Sequence, residues 1–335
     1  METVKRLIIV DFAGTLSLQT VLFGRKERLM RALRASGLDI LGYGEPSRFW
    51  GELVFPTWEE GALTSKGYAR VLSQRLRELA AGERACIREA AYRFVQLYFR
   101  HSRIDPGWKP LFVGDLYRNL RARNDDNTPF PRLVDTILIA TDHYAECTPF
   151  LCRFLHRWGV RCKPIRACKP ILEREAPAKS EELVLKKRGG FAPPGAGSRT
   201  SPASPRLSPL AAPSPINRTP LKAYIANSAD LGAWKKDPSF WEKVNESLPL
   251  KAFRQILVID DFGYNEHRGD PYAERNRVEK RKDSLLRSIS SLGASQVEVF
   301  PFYLESSVTD TSLVQLYEEY RRLLDRAFLF LDGQG

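Results

Sequence analysis

The chain has 335 residues, 43% hydrophobic and 27% charged, enough to bury about two domain-sized cores, which excludes a wholly disordered protein. Its net charge of +12 is concentrated: residues 161–222 carry 13 Lys and Arg against 4 Asp and Glu, so the remainder is nearly balanced and basicity is not a property of the whole surface. No apolar run approaches the roughly 18 residues of a membrane span, and the one behind Arg6 breaks at Asp11, too early for a secretory leader; a cytoplasmic protein with no membrane partner is expected.

Taken in chain order, residues 5–11 ("KRLIIVD") predict a short strand buried on both faces and closed by a carboxylate. Residues 22–36 predict a helix with Leu29, Met30 and Leu33 on one face and Gly37 as its stop. Residues 48–67 set Phe49, Trp50, Phe55 and Trp58 among Glu52, Glu59 and Glu60, a connector suited either to a substrate-selecting lid or to plain packing. Helices are expected at 67–80, 83–100 and 110–123, followed by a turn at 124–129 ("NDDNTP").

The pattern then changes. Residues 136–140 ("TILIA") predict a second buried strand ending at Thr141, with a helix at 146–158 behind it. A third strand lies in 160–172 or in 223–227, and the pattern does not choose between them. Residues 186–220, dense in Pro, Ser, Gly and Ala, bury too little to offset their ordering entropy and predict a disordered basic loop; nucleic acid enters only as a partner for that loop. A helix at 238–248, a strand in 256–261 ("ILVIDD"), a helix at 275–292, a strand at 297–303 and a helix at 312–327 complete the chain. The fold class is therefore α/β, a Rossmann-like parallel sheet core of residues 1–16 and 130–335 with an all-helical cap of residues 17–129 inserted after the first strand.

In an open parallel sheet, ligands collect beyond the carboxyl ends of the strands. Three predicted strands end there in Asp11, in Thr141 and in the Asp260–Asp261 pair. Acids gathered away from water repel one another unless a cation sits among them, and Mg²⁺ takes hard oxygen ligands from a few carboxylates plus substrate phosphate. The five cysteines, Cys86, Cys147, Cys152, Cys162 and Cys168, contain no CxxC pair and argue against a zinc site or a disulfide framework. The four histidines match no ligand spacing, and of these only His143 follows Thr141 closely enough to reach such a crevice.

"IIVDFAGTLS", "TILIATD", "WKKDPSFW" and "ILVIDDFGYNE", in that order, resemble the four motifs of the haloacid dehalogenase superfamily of hydrolases. The resemblance implies that Asp11 is a nucleophile forming an aspartyl phosphate, and that Thr141 and Lys235, with Lys236 as the fallback, bind the phosphoryl group. It further implies that Asp11, the Ala13 carbonyl and either Asp261 or Asp260 hold Mg²⁺, with Asp261 favoured. The family's phosphatases carry an acid two residues after the nucleophile, where this chain has Ala13. The "DFAGT" form is similar to that of phosphonoacetaldehyde hydrolases, whose cap lysine forms a Schiff base, and the best placed lysine for that role is Lys66. Trp58 and Lys66 are thus the cap residues expected at the substrate. The expectation is a Mg²⁺-dependent hydrolase of a small phosphorylated or phosphonate metabolite; the alternative is a phosphate-binding or scaffolding protein that lost turnover with its acid.

Overall fold

Along β1 (Lys5–Val10) side chains alternate between two apolar layers: Ile8 and Val10 enter one core cluster, Leu7 and Ile9 the other. A strand buried this way belongs in the interior of a parallel sheet with helices on both faces. The computed structural model, which describes residues 5–79, 83–113, 134–167, 221–266 and 277–333, builds that sheet. With β1 it contains β2 (Val134–Thr141), β3 (Cys162–Ile165), β4 (Lys222–Asn227), β5 (Gln255–Asp260) and β6 (Val297–Pro301). The six strands lie in the order β3-β4-β2-β1-β5-β6 and every pairing is parallel. Both segments between which the sequence does not choose a third strand are strands, paired with each other.

Helices α1 (Leu18–Leu22), α2 (Lys26–Ser36), α3 (Pro46–Phe49), α4 (Phe55–Leu63), α5 (Tyr68–Leu79), α6 (Arg84–His101) and α7 (Lys109–Val113) all fall between β1 and β2 in the chain. They are followed by α8 (Cys147–Arg157), α9 (Ser228–Leu231), α10 (Pro238–Ser247), α11 (Val278–Ser291) and α12 (Leu313–Leu331). Phe240, Trp241 and Val244 of α10 and Leu285 and Ile289 of α11 cover the layer of Leu7 and Ile9. Leu151 and Leu155 of α8 and Leu316, Tyr320 and Leu324 of α12 join the layer of Ile8 and Val10. All described residues cluster as one compact unit, and none of the described helices is long and apolar enough to cross a membrane.

Several expectations change. Most of 48–67 is helical rather than a connector: α3, a π-helical turn at Trp50–Val54 and α4 follow one another as far as Leu63, with Phe49, Leu53, Val54, Thr57, Gly61 and Ala62 buried at helical spacing. Pro46 and Pro56 sit in the first turns of α3 and α4, where a missing N–H costs nothing. The helix expected at 22–36 is split, α1 closing before α2 begins. Gly37 does stop α2, in the left-handed conformation at φ 84°. The last helix runs to Leu331, a turn beyond the expected end, because Leu331 still packs into the core. The turn at 124–129, the loop at 186–220 and most of the helix expected at 110–123 lie outside the described residues.

One buried cluster ties three distant parts of the chain together. The Tyr320 hydroxyl donates to the Thr15 carbonyl at 2.6 Å and accepts from the Trp108 indole N–H at 2.8 Å, and that N–H also reaches the Thr15 carbonyl at 3.2 Å. The turn after β1, the end of the helical insertion and α12 therefore share one carbonyl. Tyr320→Phe is expected to lower stability by about 1–2 kcal/mol, read as a shift in the urea unfolding midpoint; a loss below about 0.5 kcal/mol would mean that the network contributes nothing net.

Candidate functional site

The parallel register decides what meets at the carboxyl edge of the sheet. Val10 pairs with Ile139 of β2 and with Ile259 of β5, so the residues that follow β1 and close β5 lie side by side. The Asp11 amide then donates to the Ile259 carbonyl at 3.0 Å. Asp11, Asp260 and Asp261 each bring a carboxylate oxygen into a group whose members all lie within 4.8 Å of one another, and all three residues are buried.

Lys235, on the loop before α10, reaches into this group. Its ammonium lies 2.5 Å from Asp11 Oδ1 and 2.8 Å from Asp260 Oδ2, with all three side chains less than a tenth exposed. The loop is held from both sides: the Lys235 amide donates to Asp142 Oδ1 at 2.7 Å, and the Lys235 carbonyl accepts from the Trp241 indole at 2.7 Å. Lys236, the fallback, lies instead over the Trp234 ring at 6.0 Å.

The turn after β5 wraps the two acids with backbone donors. Phe262 N–H donates to Asp260 Oδ1, Gly263 N–H to Asp261 Oδ1 and Asn265 N–H to Asp261 Oδ2, at 2.7, 3.3 and 2.9 Å. Phe262 adopts φ 52°, a left-handed conformation that a bulky residue holds only when its surroundings impose it. The Asn265 side chain then locks this turn to the first one, donating to the Gly14 and Phe302 carbonyls and accepting from the Leu304 amide. Gly14 has φ 76°, and a Cβ there would lie 2.5 Å from Asp261 Oδ2, so this position needs glycine on two counts.

Positive charge is short in this group. Burial pushes the Asp11 carboxyl well above the usual carboxylate range, and Asp260 and Asp261 push the same way while Lys235 opposes them. Burial and the Asp260 charge raise Asp261 to about 7. A divalent cation answers such a shortage, and the donor set, carboxylates with no sulfur or imidazole among them, is one for a hard ion. Asp11, Asp260 and Asp261 are the side chains that could hold it.

Thr141 closes β2 beside these acids, and its hydroxyl is buried with no hydrogen-bond partner among the described residues. Buried hydroxyls are ordinarily paired, and this one lies at a cavity wall where a donor to a ligand could act. Asp11, Ala13, Thr141, Lys235 and Asp261 all line one cavity of about 100 Å³. Trp58 lines it too, while packing on the loop of Lys235 through a stacked contact with Trp234 at 5.9 Å. Lys66 does not join them: it is half exposed and ion-paired with Glu60 at 2.8 Å.

His143 is buried in the same wall. Burial lowers it to about 3, so its ring is neutral. Its Nδ1 accepts from the Tyr144 amide at 2.8 Å, which leaves the proton on Nε2 to be donated to the Tyr98 hydroxyl, 2.9 Å away on α6. Nothing in the sequence pairs Tyr98 with His143, 45 residues apart; Asn265, by contrast, stands four residues after Asp261 inside the acidic motif and was open to notice. Asp142, next to Thr141, was another such signal.

No protein-family model matches the chain, and no curated protein matches it.

Gly14→Ala is expected to destabilise the fold by about 1 kcal/mol or more and to turn the Asp261 carboxylate away from Asn265. Thermal unfolding together with a crystal structure of the variant checks both, and an unmoved carboxylate at unchanged stability would show that the close approach is not a constraint.

Proposed function

We propose that this protein is a hydrolase of small phosphorylated or phosphonate metabolites that works through an aspartyl phosphate on Asp11 with Mg²⁺ as cofactor. One observation supports this reading above the rest: two carboxylates of the acidic cluster (Asp11 and Asp261), one ammonium and an unpartnered hydroxyl line a single cavity from four separate segments of the chain, with the third carboxylate, Asp260, within 4.8 Å of the other two. In this reading Lys235 holds Asp11 Oδ1, orienting the carboxylate so that its other oxygen attacks phosphorus as the bond to the leaving group breaks. The Thr141 hydroxyl and the Lys235 ammonium donate to the transferred phosphoryl oxygens, the charge stabilisation on which phosphoryl transfer chiefly depends. Asp11, Asp260 and Asp261 would hold Mg²⁺, which when bound neutralises charge on the phosphoryl group. Water then cleaves the acyl phosphate, returning Asp11 and releasing phosphate.

A second reading, a phosphate-binding protein without turnover, is favoured by Ala13, which offers only a methyl group to the cavity two residues beyond Asp11. The two readings part on catalysis. In an assay of phosphoesters and phosphonates with Mg²⁺, the Asp11→Asn variant is expected to lose at least about a thousandfold in kcat; turnover that survives the substitution rules out Asp11 as nucleophile, and no turnover by the unaltered protein favours the binder. Chelation of divalent cations is expected to abolish activity, and readdition of Mg²⁺ to restore it; activity indifferent to chelator would remove the cation from the reading.

A further inference from the structure

The cavity above Asp11 is two-sided. Its floor is polar and comes from the sheet edge, whereas its roof comes from the helices between β1 and β2 and is mostly apolar: Val21, Phe23, Leu29, Phe49, Val54 and Phe94 are all buried, and Thr20 and Tyr68 add hydroxyls. Three of these rings form a cluster, with Phe49 tilted against Phe94 at 4.8 Å and Phe23 edge-to-face with Phe94 at 5.8 Å, and Tyr98 meets Phe23 edge-on at 5.1 Å. Tyr98 marks the border between the two sides, its hydroxyl fixed by His143 below.

What the lining lacks matters equally. Among the described residues that form it, Lys235 is the one cation, and it faces Asp11 and Asp260. No Arg, Asn or Gln is among the described residues that line it. A second phosphate or a carboxylate on the substrate would find no guanidinium to pair with among the described lining residues. Set against those six apolar side chains, which carry no hydrogen-bonding group, the hydroxyls of a sugar would be desolvated without partners, a penalty that selects against them.

We infer that this cavity selects phosphate monoesters and phosphonates whose body is a single apolar ring, an aryl group above all, over sugar phosphates and nucleotides. Ring edges and faces of the roof accept an aromatic guest in the tilted geometries that aromatic pairs prefer. The inference rests on the hydrolase reading only for its catalytic consequence: Asp11 oxygen bonds to phosphorus, the ester P–O bond breaks, and the aryl oxygen leaves with its electron pair to take a proton from water. Selective binding to the roof needs no turnover.

Two measurements on the full chain with Mg²⁺ test it. Calorimetric titration with phenylphosphonate and with methylphosphonate isolates the roof, and phenylphosphonate is expected to bind at least about tenfold tighter because the ring leaves water for an apolar wall; equal affinities overturn the inference. In turnover assays phenyl phosphate is expected to exceed glucose 6-phosphate and adenosine 5′-monophosphate in kcat/KM by about tenfold or more. A preference for the sugar phosphate or the nucleotide overturns the inference and leaves the hydrolase standing. Tight phenylphosphonate binding with no ester turned over supports the inference and defeats the hydrolase.

Discussion

Three carboxylates less than a tenth exposed and within 4.8 Å of one another are the constraint around which the rest of this molecule is arranged. Buried like charges are tolerated only with compensation, and removal of a compensating partner is far more costly than its presence is stabilising. Lys235 supplies part of that compensation, and its backbone is gripped at the amide by Asp142 and at the carbonyl by Trp241. Backbone N–H groups of the turn after β5 supply more. The carboxyls of Asp11 and Asp261 nevertheless stay raised by burial and by their acidic neighbours, which is the electrostatic signature of a site short of positive charge.

The helical insertion is fastened to the sheet edge by polar contacts close to that cluster. Glu146, beside α8, accepts from the Tyr68 and Ala69 amides at the start of α5, taking up donors that a helix otherwise leaves orphaned. Ser228, at the start of α9, donates to the Ala62 carbonyl of α4 and accepts from the His143 amide. Tyr68 stacks on Tyr144 with ring centroids 3.8 Å apart. Phosphoryl-binding candidates and the apolar roof are thereby set at a fixed separation, so the cavity between them has a defined size and polarity.

The sequence by itself determined the sheet and its chemistry-bearing ends. "LIIV", "TILIA" and "ILVID" are apolar runs too short for helices, each closed by an oxygen-bearing side chain, and such runs have few other stable places than the middle of a parallel sheet; the acids at their ends follow from the chain alone. Local signals were also enough for Gly37 at the end of α2. Which polar groups meet was left to long-range packing. Register set Asp11 against the end of β5, and the fold brought Lys235 between two acids and Tyr98 to His143, contacts between residues 25 to 249 positions apart that leave no periodic trace in the chain. It also made α3 and α4 helices where aromatic density suggested a connector, since the face that buries Phe49, Leu53 and Thr57 exists only once there is a core to bury it against. Periodicity reports how a segment meets its surroundings in general; which surroundings those are is settled by long-range packing.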